Sequence, residues 1–161
     1  MLNARILVNI SDAKVSSDPA DVIVTHALGS CIGVCLYDPV VQVGGMLHYQ
    51  LPSSKADPKR AQQNLFRYAD TGMEALTRKF ASMGARIKCM QVKIAGGAAI
   101  STGPQGFDIG KRNCLAIKKI LWKKGTVSAS EDMGGSRPRH MFLNIADGTV
   151  TIKSSGFKKT L

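Results

Sequence analysis

The sequence predicts a single-domain α+β (mixed α/β) fold, and three observations carry that expectation. Runs with strand patterning outnumber runs with helical patterning. The two long helical runs sit in the middle of the chain, with strands on either side. The 161 residues show no internal repeat and are enough to bury one core without covalent staples.

Taken in order, Ala4 to Ile10 reads as a first strand and Ser11 to Pro19 as a polar connection rich in turn formers. Asp21 to Ala27 is a second strand, ending at the turn Leu28-Gly29-Ser30. Glycine permits a backbone shape there that other residues resist, and the amides that follow can bind an oxyanion. Cys31 to Tyr37 and Val41 to Tyr49 read as the arms of a hairpin turning at Asp38-Pro39. Leu51 to Pro58, polar and with two prolines, reads as a loop beside the hairpin.

From Gln62 to Met83 the period becomes helical: Leu65, Ala69, Met73, Leu76, Phe80 and Met83 recur at three- and four-residue steps, and Gly84 stops the run. Arg86 to Ala95 alternates as a strand and leads into Gly96-Gly97-Ala98-Ala99. That run lets backbone approach a neighbour closely but lacks the spacing of a dinucleotide fingerprint, and with no Walker pattern a nucleotide cofactor is not expected. Asp108 can cap a second helix from Ile109 to Lys124. Its inner face would carry Cys114, Ile117, Ile120 and Leu121, with Lys118, Lys119, Lys123 and Lys124 outside or at the end, and Gly125 closing it. Thr126 to Asp132, Met141 to Ala146 and Thr149 to Lys153 read as three more strands, the last two joined at Asp147-Gly148. A basic, glycine-rich loop from Met133 to His140 separates the first two. Ser154 to Leu161 is expected to be a flexible basic tail.

Cys31, Cys35, Cys89 and Cys114 have no disulfide-framework spacing, and neither a leader at Met1-Leu2-Asn3-Ala4 nor a bilayer-length apolar run is visible. The expectation is reduced thiols in a cytoplasmic protein without membrane insertion. Lys plus Arg number 22 against 11 Asp plus Glu, a formal charge of +11, which favours an acidic partner. With only 6% aromatic residues and no RNA-binding aromatic motif, nucleic acid is not the expected partner, and a merely solvated surface is the plain alternative.

One stretch invites chemistry. Cys31 follows a Gly-Ser turn, and the hairpin carries His48 near the end of the neighbouring strand, where an imidazole can activate a thiol. A buried thiol acting as a small hydrophobe is one competing reading, and a metal site of Cys31, Cys35, His26 and His48 is another. C-x3-C without a second close pair is a weak zinc signature. On residue chemistry alone these readings stay open.

Thr25-His26-Ala27-Leu28-Gly29-Ser30-Cys31-Ile32-Gly33-Val34-Cys35-Leu36-Tyr37-Asp38, followed by Gly44-Gly45-Met46-Leu47-His48 and Leu51-Pro52, resembles the signature of the CheD family of chemoreceptor glutamine deamidases. Gly96-Gly97-Ala98, Ile109-Gly110-Lys111-Arg112-Asn113, and Asp132-Met133-Gly134-Gly135 with Arg139 resemble its later motifs in the same order. The late loop departs from the pattern, with Pro138-Arg139 where Gly-Arg is commoner.

The resemblance implies a layered sandwich similar to cytotoxic necrotizing factor deamidases, with Cys31 as nucleophile, His48 as base and Thr25 completing a triad. It implies oxyanion contacts around Gly29 and Ser30, substrate or partner contacts at Gly96, Gly97, Arg137 and Arg139, and no metal or organic cofactor. The implied partners are acidic chemoreceptor helices and a CheC-type phosphatase. A non-catalytic module regulating such a phosphatase or the receptors is the alternative from another class.

Overall fold

The computed structural model describes residues 3–100, 108–127 and 130–161. Two five-stranded sheets stack on one another, and two long helices cover the outer face of one of them. The first sheet has the order β1 (Ala4–Leu7), β3 (Asp21–Leu28), β8 (Arg139–Asn144), β9 (Val150–Ser154) and β10 (Phe157–Thr160). The second has the order β2 (Asp12–Ser16), β5 (Val43–Tyr49), β4 (Ile32–Asp38), β6 (Gln91–Gly96) and β7 (Ser130–Met133). Helices α2 (Ala69–Ser82) and α3 (Ile109–Lys123) lie on the second sheet, and the short α1 (Pro58–Gln63) precedes them.

This layering explains the strand patterns. The second sheet is covered on both faces, so every residue of β4 and β5 is buried and their sequences run apolar without alternation. In the first sheet β8 alternates buried and half-buried residues, because only its inner face meets the other sheet. The outer core packs Met73, Leu76 and Phe80 of α2 and Ile117 and Leu121 of α3 on Val34, Leu36, Leu47 and Ile94. The inner core packs Ile23, Leu28, Met141, Leu143 and Ile152 on Cys35, Met46 and Ala95. Each fully buried large side chain contributes about 1.5–3 kcal/mol. Both cores are therefore needed to hold the middle sheet in place.

The α+β layered arrangement, the hairpin of β4 and β5, and the two long helices agree with the sequence reading. Four local differences have physical causes. Part of the expected connection after Ile10 is β2, an edge strand paired antiparallel with β5; only Ala13 and Ser16 are buried, so its sequence reads polar. The helix expected over Gln62–Met83 is two helices, because the Asn64 side chain accepts from the Phe66 amide and starts a separate short turn, Leu65–Arg67. Residues 87–89 form a 3₁₀ turn instead of strand; β6 can start only at Gln91, opposite Tyr37, where β4 offers a partner. The expected flexible tail is instead β10, returned onto β9 by Gly156 at φ 68°. Of the strand expected over Thr126–Asp132, residues 130–132 lie in β7, and residues 128 and 129 lie outside the described residues.

Truncation after Ser154 tests the last difference. It removes the β9–β10 ladder and the partly buried Leu161, whose amide donates to Val150 O. Urea unfolding should show a loss of about 1–2 kcal/mol; an unchanged midpoint would mean that the segment frays after all.

Candidate active site

Register brings Cys31 and His48 to one face. In the β4–β5 ladder Gly33 lies opposite His48, on the inner face of the sheet, and Cys31, one residue before β4, packs against the inner core on that same side. Gly33 has to be small here. A Cβ would come within 2.8 Å of Met141 Sδ and 2.9 Å of Leu28 Cδ1. Cys31 is half-buried against the inner core.

Thr25 meets His48 from the opposite sheet. It is fully buried on β3, and its Oγ1 lies 2.8 Å from His48 Nδ1 and 2.8 Å from the carbonyl of Val8. The carbonyl can only accept, so the single hydroxyl proton goes to Val8 O and the hydroxyl oxygen accepts from Nδ1–H. That fixes the tautomer. Nε2 keeps its lone pair, and it is buried with no hydrogen-bond partner among the described residues.

Burial also fixes the charge. Desolvation lowers the His48 pKa from 6.5 to about 4, a little offset by the negative charge of Asp12, which pairs with it across β2 and β5. Burial pushes the Cys31 thiol up, while its own backbone amide pulls the other way. The resting pair is thus a neutral thiol and a neutral imidazole. The proton has to move as the sulfur attacks, which is the task of a general base.

The turn before Cys31 is fixed on several sides. Ala27 lies at φ 56°, inside the irregular β3–β8 pairing between Thr25 and Leu28, a left-handed conformation uncommon for alanine. Its amide donates to His140 Nδ1 at 3.3 Å. Gly29 spends its amide on Ala27 O at 2.9 Å, so of the expected oxyanion donors Gly29 is engaged, while Ser30 and Cys31 donate to no other backbone carbonyl among the described residues. Gly96 and Gly97 press directly on the turn. The Gly97 amide donates to Cys31 O at 2.9 Å, and a Cβ on Gly96 would overlap that same carbonyl. Their role visible here is close backbone packing.

Residues 50–154 match the family model described as CheD chemotactic sensory transduction. A relative from Solibacter usitatus (strain Ellin6076), named a probable chemoreceptor glutamine deamidase CheD, is 43% identical over 157 residues, covering 98% of this chain and 93% of its own. This chain belongs to the CheD family. A second relative, from Syntrophus aciditrophicus (strain SB) and named a probable chemoreceptor glutamine deamidase CheD 1, is 44% identical over 94% of both chains. The chemoreceptor glutamine deamidase CheD of Thermotoga maritima is 38% identical over 93% of this chain and 92% of its own. The family-model match begins after Thr25, Cys31 and His48, so here the case for those three rests on their geometry.

Other residues expected at the CheD site are placed differently. Arg139 was expected as a contact residue, but it is buried: Nε faces Asp132 at 3.3 Å, Nη1 donates to Gly96 O at 3.2 Å and Nη2 to Gly134 O at 2.7 Å. Its guanidinium joins β8 to the late loop and the Gly96 turn. Arg137 is exposed. The four-ligand metal alternative is not assembled: His26 is exposed, with Nδ1 at 3.1 Å from His140 Nδ1, while Cys35 is buried in the inner core. Asn113, which the sequence places in a CheD-like motif without a role, donates through Nδ2 to Ser30 O at 2.9 Å and to Gln50 O at 2.8 Å. The available signal was a polar residue on the apolar stripe that continues with Ile117 and Leu121.

The His48 environment predicts a pH dependence. The folded pKa of about 4 lies below the ordinary 6.5, so the neutral imidazole is favoured by folding. Its contribution is fully present above pH 6.5 and is lost as pH falls from there through 4. The wild-type melting temperature should drop across that interval more than that of His48→Phe; parallel curves would contradict the buried neutral imidazole.

Proposed function

We propose that this protein hydrolyses glutamine side chains of chemoreceptors to glutamate and ammonia, in the adaptation arm of chemotaxis, with Cys31 as nucleophile, His48 as general base and acid, and Thr25 as the group that orients the imidazole. The observation that carries this reading is the Thr25–His48 hydrogen bond, which leaves a buried, unprotonated Nε2 on the face shared with Cys31. Membership of a family whose relatives are named chemoreceptor glutamine deamidases supplies the substrate class.

The steps follow from those groups. Nε2 takes the Cys31 thiol proton as Sγ bonds to the glutamine amide carbon, and the carbonyl electron pair moves onto oxygen, facing the Ser30 and Cys31 amides. The imidazolium gives its proton to the amide nitrogen, the C–N bond breaks and ammonia leaves a thioester. His48 then deprotonates a water that adds to the thioester carbon, the C–S bond breaks, and the thiol regains its proton. Thr25 holds the ring in one tautomer through both halves. A buried threonine does this without adding a second charge to the inter-sheet space.

Receptor docking is assigned to the positive surface. The chain carries a formal +11, and Lys119, Lys123, Lys124 and Arg137 are exposed, whereas Lys118 is paired with Glu131 at 3.1 Å. Acidic receptor helices and a CheC-type phosphatase are the partners that such a surface suits, in the cytoplasm where both would be met.

Mass spectrometry of receptor peptides after incubation should show glutamine-to-glutamate conversion with the wild type and none with Cys31→Ala; conversion by Cys31→Ala at the wild-type rate would end the mechanism. Thr25→Val, which keeps shape but cannot accept from Nδ1–H, should lower kcat on the order of 10²-fold, with Thr25→Ser restoring much of it. If charge steers docking, added salt should lower kcat/KM for the intact receptor and barely affect a short neutral glutamine peptide. Equal sensitivity of the two substrates would leave the charge as a solvated surface.

A further inference from the structure

The nucleophile turn is held from behind by its carbonyls. Gly29 O accepts from the Ala98 amide at 2.8 Å, Ser30 O from Asn113 Nδ2 at 2.9 Å, and Cys31 O from the Gly97 amide at 2.9 Å. A peptide group is planar and trans, so each N–H points away from the carbonyl that shares its plane. Holding the Gly29 carbonyl therefore aims the Ser30 amide, and holding the Ser30 carbonyl aims the Cys31 amide, toward the side opposite Ala98 and Asn113. Of the three donors only Asn113 is a side chain, and so only this one is specified by residue type.

Asn113 is fully buried on the packing stripe of α3, where Ile117 and Leu121 follow it. Both groups facing its amide are carbonyls, so the NH2 end must point at them. The second carbonyl belongs to Gln50, two residues beyond His48, so one side chain joins the turn bearing Cys31 to the strand bearing His48. The Tyr49 hydroxyl donates to the backbone carbonyl of Asn113 at 2.7 Å and fixes the helix at that level. A polar amide on a helix packing face is expensive to bury, and an aliphatic residue would pack there more readily. The Cys31 amide belongs to the same residue as Sγ, the relation that suits an oxyanion donor, because the oxygen that becomes charged is one bond from the carbon the sulfur attacks.

We propose that Asn113 is a positioning residue for deamidation: through the Ser30 carbonyl it aims the Cys31 N–H at the oxyanion formed when Cys31 Sγ adds to a glutamine amide. This rests on the deamidase reading above. When the S–C bond forms, the carbonyl π pair moves onto oxygen and is held by the Cys31 and Ser30 amides; it returns to the carbon as the C–N bond breaks and ammonia leaves.

The test uses the full chain and a receptor substrate that the wild type converts and Cys31→Ala does not. Failure to see that difference would count against the deamidase reading itself. Asn113→Ala should lower kcat on the order of 10²-fold with KM little changed. Alkylation of Cys31 by iodoacetamide, which builds no oxyanion, should change by a few-fold at most. Ile117→Ala, one turn along the same buried stripe, should lower the melting temperature and leave kcat near wild type. Asn113→Ala with wild-type kcat, equal losses of alkylation and turnover, or a matching kcat loss in Ile117→Ala would each overturn the proposal. If Asn113→Ala does not fold, Asn113→Asp, of the same size but without an N–H, carries the same expectation. A wild-type adduct with a peptide carrying glutamate γ-semialdehyde in place of glutamine needs no variant: the Cys31 amide proton should move downfield as it bonds the hemithioacetal oxygen. An unmoved Cys31 amide would overturn the assignment.

Discussion

One hydrogen bond across two sheets sets the terms for the rest of the molecule. Stacked sheets lie about 10 Å apart, a gap normally filled by apolar side chains. Thr25 from one sheet and His48 from the other meet inside it at 2.8 Å, and the Thr25 proton is already committed to Val8 O. Everything nearby has to accommodate that polar pair. The neighbours on the second sheet include Gly33 and Ala95, with Met141 and Leu28 closing over Gly33 from the first. The surroundings exclude water well enough to lower the imidazole pKa to about 4. A hydroxyl is a fitting partner in such a place, since a carboxylate would bring a buried charge that the apolar walls cannot solvate.

The same constraint explains why the catalytic turn is stiff. Cys31 lies outside the regular ladder, so strand pairing alone does not fix it. Its position is set by backbone donors from Gly97 and Ala98, by Asn113 beneath Ser30, and by the bulge at Ala27. Arg139 stabilises the arrangement from one step further out, because its guanidinium holds the Gly96 carbonyl and the late loop together. Two long helices on the far face of the middle sheet complete the support: α3 brings Asn113, and α2 packs Leu76 and Phe80 against the sheet that carries His48. Stability and chemistry are therefore coupled through the middle sheet.

Much of this was legible in the sequence, because the site is carried by local patterns. The apolar hairpin with its glycines predicted the β4–β5 ladder, which puts His48 on the inner face where Cys31, just before β4, packs. Thr25 was legible only as part of a motif, since its contact with His48 spans two sheets and leaves no trace in spacing. β2 was hidden because an edge strand needs few apolar residues, and β10 because its residues are exposed and its only local cue is Gly156. Arg139 read as a contact residue because, although Asp132 and Gly134 are close in sequence, the Gly96 carbonyl that helps to enclose it is 43 residues away. Asn113 was legible only as the last residue of a motif, without a role, because its partners, Ser30 and Gln50, are 83 and 63 residues away.

The chemistry depends on Thr25 holding His48 as a neutral imidazole protonated on Nδ1, with an unprotonated Nε2 left buried and unpartnered among the described residues. Nitrogen-15 NMR of the histidine-labelled protein near neutral pH tests this directly, because protonated and unprotonated ring nitrogens resonate far apart. His48 should show a pyrrole-type Nδ1 and a pyridine-type Nε2, with the pattern lost in Thr25→Val. An imidazolium, or the reverse tautomer with the proton on Nε2, would contradict it.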